Sequence, residues 1–188
     1  MTELLRGFGD PVRDSQSVFR AVMEAMARPG RVHRVGGPDA APAPLCRATA
    51  AVLLTLVDGE TPLWLDAAAA AAGRWVAFHC GAAPSEVGSA QFAVALAPAL
   101  PLGLSVGSDE QPEESATLIL QVAALGAGET LRLRGPGLAG EATLQLDGLP
   151  EGFRAAWAAN GRLFPRGFDV ILCADDALAA LPRTVEIS

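Results

Sequence analysis

Apolar positions recur at helical spacing near the start of the chain and at a period of two through much of its second half. Helices and strands should therefore alternate. Asp14 or Ser15 can cap a first helix running to about Arg28, stopped by Pro29-Gly30. Val18, Phe19, Val22, Met23 and Met26 make its apolar face, with Gln16, Arg20, Glu24 and Ala27 on the other. A short extended piece, Arg31 to Val35, leads into a Gly/Pro/Ala loop through Pro44. Leu45 to Val57 is apolar nearly all round, as a buried helix would be, and Asp58-Gly59 ends it. Pro62 to Leu65 reads as a short strand. Asp66 then caps a helix of six alanines ended by Gly73, and strands follow over Arg74 to Cys80 and Phe92 to Leu96.

Strand signals dominate beyond that point. Ala116 to Val122 sets Leu118, Leu120 and Val122 on one face and Thr117, Ile119 and Gln121 on the other. Thr130 to Arg134 and Glu141 to Asp147 alternate across a Gly/Pro loop, which predicts an antiparallel hairpin with Leu131, Leu133, Ala142, Leu144 and Leu146 inward. Pro150 to Asn160 suits a helix buried along Phe153, Ala156 and Trp157 and closed by Gly161. Phe168 to Cys173 has the continuous apolar character of a central strand, and Asp175 to Leu181 reads as one or two helical turns stopped by Pro182. The fold class expected is α/β, with a mixed sheet flanked by helices.

The 188 residues contain no internal repeat, so a single domain over residues 1–188 is expected. Hydrophobic residues are 51% and charged ones 19%, which argues against disorder. All 14 basic residues are arginine. Without lysine there is neither a Schiff-base linkage to pyridoxal phosphate nor a P-loop cation. Residues 1–50 carry seven Arg against five acids, and residues 51–188 seven Arg against sixteen, so +2 is followed by −9. An acidic body of this kind disfavours nucleic acid as a partner. The start shows no signal-peptide pattern, and Pro98, Pro101 and Gly103 interrupt the most apolar window, so a cytoplasmic protein without membrane partners is expected.

Candidate chemistry thins out when its geometry is considered. Gly135-Pro-Gly-Leu-Ala-Gly140 spells a dinucleotide fingerprint, but an alternating strand follows it where a helix N-terminus is needed. Arg132 and Arg134 face Glu141, Gln145 and Asp147 across the hairpin, which reads as a solvated ion-pair face. His79-Cys80, on a strand, would point to opposite sides, and no metal-ligand spacing accompanies His33 or His79. Cys46, Cys80 and Cys173 lack pairing patterns and suit reduced core thiols. Asp109-Glu110 and Glu113-Glu114 belong to an exposed loop. No catalytic residue, metal or cofactor is expected.

Two stretches do more than stop and start elements: Gln16-Ser-Val-Phe-Arg20 running to Ala25-Met-Ala-Arg-Pro-Gly30, and Phe164-Pro-Arg-Gly-Phe-Asp169 with Leu181-Pro-Arg-Thr184. Together with Gly7-Phe8, Asp10-Pro-Val12, Leu54 to Asp58, Leu131-x-Leu-x-Gly-Pro-Gly137 and Asn160, they make the chain resemble the PhnH family end to end. That family is the H subunit of the bacterial carbon–phosphorus lyase system. One departure is Gln111-Pro-Glu and Ser115-Ala-Thr, where the family usually has aromatic-Pro-acid and Gly-Ala-Thr.

The resemblance implies a fold like the large domain of pyridoxal-phosphate transferases, without the cofactor. It also implies a homodimer that joins the G, I and J subunits. That assembly places a phosphonate on the ribose of ATP and releases adenine. Gln16, Arg20, Arg28, Asp169 and Arg183 become candidates for partner docking or anchoring, with Gln16 and Arg20 one turn apart on α-helical spacing. The alternative from the residues alone is a small phosphonate or phosphate enzyme, or a binding module, clamping its ligand with Arg20, Arg28 and Arg31.

Overall fold

The computed structural model describes residues 4–188. Helix α1 (Pro11–Ala27) starts a turn earlier than its apolar spacing suggests, because Asp10 caps it. The Asp10 carboxylate accepts from the Arg13 amide at 3.2 Å, and the Asp10 amide donates to the Asp14 carboxylate at 3.0 Å. Pro11, at the first helical position, has no amide to leave unpaired. The short strand β1 (His33–Arg34) and helix α2 (Arg47–Leu56) follow, then β2 (Leu63–Leu65) and α3 (Gly73–Cys80). The second half contributes β3 (Phe92–Leu96), β4 (Thr117–Gln121), β5 (Ala124–Arg134), β6 (Glu141–Asp147), α4 (Phe153–Gly161), β7 (Asp169–Ala174), β8 (Ala177–Leu181) and β9 (Glu186–Ile187).

Six strands form one sheet in the order β1-β8-β7-β4-β3-β2, and β6-β5-β9 form a second. β2, β3, β4 and β7 run parallel, whereas β8 opposes both β7 and β1, so the large sheet is mixed as expected. Alternation along its strands builds two cores. Val94, Ile119, Ile171, Cys173, Leu178 and Ala180 pack with Val18, Val22, Leu53 and Trp75 of the three helices on one face. Leu118, Leu120, Val170, Leu172 and Leu181 pack on the other face with Leu131, Leu133, Leu144, Leu146, Phe153 and Trp157. The hairpin's inward set is therefore as predicted, with Ala142 only half-buried. No helix among the described residues is long and apolar enough to cross a membrane.

Three expectations are overturned. Arg74 to Cys80 is helical, not a strand: Ala69–Ala72 form a 3-10 turn that continues into α3, so Gly73 opens the helix and Gly81 closes it. Trp75, Phe78 and Val76 carry strand propensity, but Trp75, Val76 and Cys80 share one buried helical side. Asp175 to Leu181 is not helical either. Asp175, at φ 48°, and Asp176 turn the chain back, and Ala177–Leu181 pair with β7 as a strand buried on both sides. Alanine's preference for helix yields here to pairing with β7 and β1 in a strand buried on both faces. Finally, Phe19 and Met23 do not join the buried stripe of α1: they are 48% and 55% exposed.

Asp66 is a buried polar residue of structural kind. One carboxylate oxygen accepts from the Ala69 amide at 2.6 Å and the other from the Leu96 amide at 2.8 Å, tying the 3-10 turn to β3. The cysteines are free, as expected, with Cys46 half-buried and Cys80 and Cys173 buried. Burial pushes the Cys80 thiol up to about 11 and that of Cys173 well above its ordinary value. At neutral pH a thiol-titrating reagent should find one accessible cysteine, Cys46, in the folded protein and three after unfolding; rapid titration of Cys80 would contradict this. The folded state holds both buried protons more tightly than the unfolded one. The stabilisation from Cys80 is therefore complete below about pH 9 and is lost as pH rises towards about 11.

Candidate functional site

The sequence candidates fall into two separate places. Asp169, at the first position of β7, and Arg183, just past β8, form the more buried of them. Arg183 Nε lies 3.3 and 3.2 Å from the two carboxylate oxygens of Asp169, and the Arg183 amide donates to Asp169 Oδ1 at 2.7 Å. The remaining guanidinium nitrogens donate to the Pro112 carbonyl at 2.9 Å and to the Ser115 hydroxyl. Every arm of Arg183 is thus engaged by its own chain, and its side chain is only 15% exposed. The pair is a brace between the loop before β4, β7 and the C-terminal segment. It also shows what the divergent stretch does: Gln111-Pro-Glu and Ser115-Ala-Thr still supply two acceptors to Arg183.

The neighbouring motifs are structural for equally local reasons. Asn160, buried at the end of α4, behaves like a peptide unit: its Nδ2 donates to the Phe168 carbonyl at 2.8 Å and its Oδ1 accepts from the Phe168 amide at 2.9 Å. A Cβ at Gly167 would stand 2.8 Å from that Oδ1, so the glycine of the Pro165-x-Gly-x-Asp169 pattern is the footprint of Asn160. Gly137, in the turn between β5 and β6, has φ 83°, and a Cβ there would meet the Ala27 carbonyl oxygen at 2.5 Å. The false fingerprint is therefore a seat for the end of α1. Arg132 and Arg134 both donate to Glu141, as the ion-pair reading expects, leaving Gln145 and Asp147 exposed beside them.

The second place is the outer face of α1. Gln16 and Arg20 lie there in solvent, and neither has a hydrogen-bond or ion-pair partner among the described residues. Arg28 is different, since it pairs with Glu24 one turn back on the same helix. What the sequence pattern hid is the company Gln16 keeps. Val12, Phe19 and Met23 share its side of the helix, turned away from the buried Val18 and Ala25.

Among the described residues no group of three His, Cys, Asp or Glu side chains could hold a metal ion. His79 Nε2 is 2.9 Å from the Leu5 carbonyl, and the adjacent Cys80 is buried, on a helix and not on a strand. The amino end of α2 is filled by the chain itself: Gln121 Oε1 accepts from the Cys46 amide at 2.7 Å and the Thr49 hydroxyl at 3.0 Å. A cavity of about 560 Å³ beside α4 is lined by Trp157, Arg162, Phe164, Arg183, Thr184 and Glu186. Arg183 is neutralised by Asp169, and Arg162 and Glu186 add one charge of each sign, so its walls show no bias towards an anion. Arg20, Arg28 and Arg31 do not line it.

Comparison with known proteins agrees with the motifs. The family model described as bacterial phosphonate metabolism protein (PhnH) matches residues 6–188. A Rhizobium meliloti (strain 1021) protein named alpha-D-ribose 1-methylphosphonate 5-triphosphate synthase subunit PhnH is 42% identical over 186 residues, covering 96% of this chain and 93% of its own. A Stutzerimonas stutzeri protein named putative C-P lyase subunit protein HtxG is 37% identical over 180 residues, covering 92% of this chain and 85% of its own. Matched almost from end to end at these identities, the chain belongs to the PhnH family of bacterial phosphonate metabolism proteins.

Proposed function

We propose that this chain is a non-catalytic assembly subunit of a carbon–phosphorus lyase core complex, one PhnH domain over residues 1–188. Its partners are the G, I and J subunits together with a second copy of itself. In that setting it supports transfer of a phosphonate onto the ribose of ATP with release of adenine, within the cytoplasm. The observation that carries the reading is the 42% identity, over 93% of its length, to a relative named as a subunit of the ribose methylphosphonate triphosphate synthase. The geometry supports the non-catalytic part. The buried Asp66 and Asn160 and the half-buried Asp169 and Arg183 are each consumed in holding the chain together. A fold like that of pyridoxal-phosphate transferases fits the mixed sheet, and the lack of lysine leaves no residue to carry that cofactor covalently.

Co-expression with the G, I and J subunits is the direct test: co-elution is expected, and elution of this chain alone would defeat the reading. Arg20 gives a finer one. Its side chain is exposed and unpaired among the described residues, so Arg20→Ala should change stability by no more than about 0.5 kcal/mol. The same variant should weaken complex recovery. A melting temperature lowered by many degrees would show instead that Arg20 braces the fold.

A further inference from the structure

The outer face of α1 is amphipathic in a way its inner packing does not need. At 100° per residue, Val12, Gln16, Phe19 and Met23 fall within about 60° of one another, centred roughly opposite Val18 and Ala25. Val12 is 79% exposed, Phe19 48% and Met23 55%, so three large apolar side chains line one strip of a 17-residue helix. Arg20 and Arg13 edge the strip on one side. Arg13 pairs loosely with Asp10 at 3.6 Å, and Arg20 meets no carboxylate among the described residues. Scattered exposed apolar residues are ordinary, but a row of them at helical spacing beside an unneutralised arginine is the profile of a buried-on-assembly helix face.

We propose that this strip docks a different chain, one that presents an apolar groove with a carboxylate on the side facing Arg20. The inference rests on the assembly reading above and names the surface that performs it. Charge decides against a second copy. A two-fold contact through the same face would set Arg20 and Arg13 of one copy near those of the other, a like-charge juxtaposition that desolvation makes worse. A head-to-tail contact would place the +2 segment on the −9 body of the next copy, which is favourable in sign but generates a ring or a filament and not a two-fold dimer. An acidic partner of another sequence meets both requirements at once. The homodimer then uses some other surface.

The test employs the full chain co-expressed with the G, I and J subunits. Phe19→Ser/Met23→Ser and, separately, Arg20→Glu should each reduce the amount of chain retained in the complex tenfold or more. Neither should change the melting temperature or the mass of the isolated protein, and Arg20→Lys should keep most of the binding. Wild-type retention with both variants retained equally well would overturn the α1 surface while leaving the assembly reading intact. Failure of the wild-type chain to be retained would overturn both. A fall in the isolated protein's mass for Phe19→Ser/Met23→Ser would identify the occupant as a second copy and overturn the proposal. Tighter retention of Arg20→Glu would do the same for the carboxylate.

Discussion

Replacing Asp169 by alanine is expected to destabilise the protein by about 3–5 kcal/mol, the usual cost of leaving one member of a desolvated pair uncompensated. Asp169 is 22% and Arg183 15% exposed, so water reaches the pair too little to stand in for a missing partner. Arg183 would lose its counter-charge and its own amide would lose an acceptor, while the Pro112 and Ser115 bonds would hold the guanidinium in place. For a domain of this size the fall in melting temperature should be of order 10 °C. Arg183→Met should cost less, because a methionine chain packs in the same space and leaves Asp169, the more exposed of the two, nearer to solvent. The double variant should be more stable than the sum of the two single changes implies, since the second change removes the orphan created by the first. A loss below about 1 kcal/mol in Asp169→Ala would show the pair to be no more than a surface contact.

How much of this could be read from the residues depended on where the deciding interaction lay. The β5–β6 hairpin and the strands β3, β4 and β7 were legible because alternation along each strand matches what each buries. The hairpin turn was legible for the same reason, its G-x-G-x-x-G spelling notwithstanding. β8 was not, because Ala-Leu-Ala-Ala prefers a helix in isolation and becomes a strand only between β7 and β1 with α1 above it. α3 was misread for the opposite reason. Its Trp, Val and Phe favour strands, whereas as a helix it buries Trp75, Val76 and Cys80, with Trp75 donating to the Leu5 carbonyl at 2.8 Å across 70 residues of sequence.

The candidate residues divide along the same line. Asp169 and Arg183 stood out as motif members, but that they brace each other is a contact between segments that alternation cannot report. Gln16 and Arg20 were placed correctly on a polar side from helical spacing alone. The apolar half of that side was missed, because Phe19 and Met23 sit next in sequence to Val18 and Val22 and a stripe drawn from spacing absorbs them. Only the packing of α1 on α2 and β8 shows which of the apolar residues remain outside. A helix with apolar residues around more than half its circumference carries that ambiguity in its sequence, and the ambiguity is itself a sign of a second face to be covered.

Gly137→Ala should be strongly destabilising for a single methyl group, because it acts through the seat of α1. At φ 83° an alanine is strained by about 1–2 kcal/mol wherever it stands. At Gly137 its Cβ would also lie 2.5 Å from the carbonyl oxygen of Ala27, the last residue of α1, where the obstacle is backbone and cannot rotate away. Relief requires the turn or the helix end to move, and forced repacking of this kind adds about 1–3 kcal/mol. Gly140 supplies the control within the same turn: its φ is 100°, and a Cβ there has nothing within 4 Å. Gly140→Ala should therefore show the backbone strain alone, and the difference between the two variants measures the close approach. Since α1 also carries the proposed docking strip, Gly137→Ala should weaken retention in the complex more than Gly140→Ala does, at a temperature where both remain folded. Equal melting temperatures for the two variants would show that the turn does not hold the end of the helix.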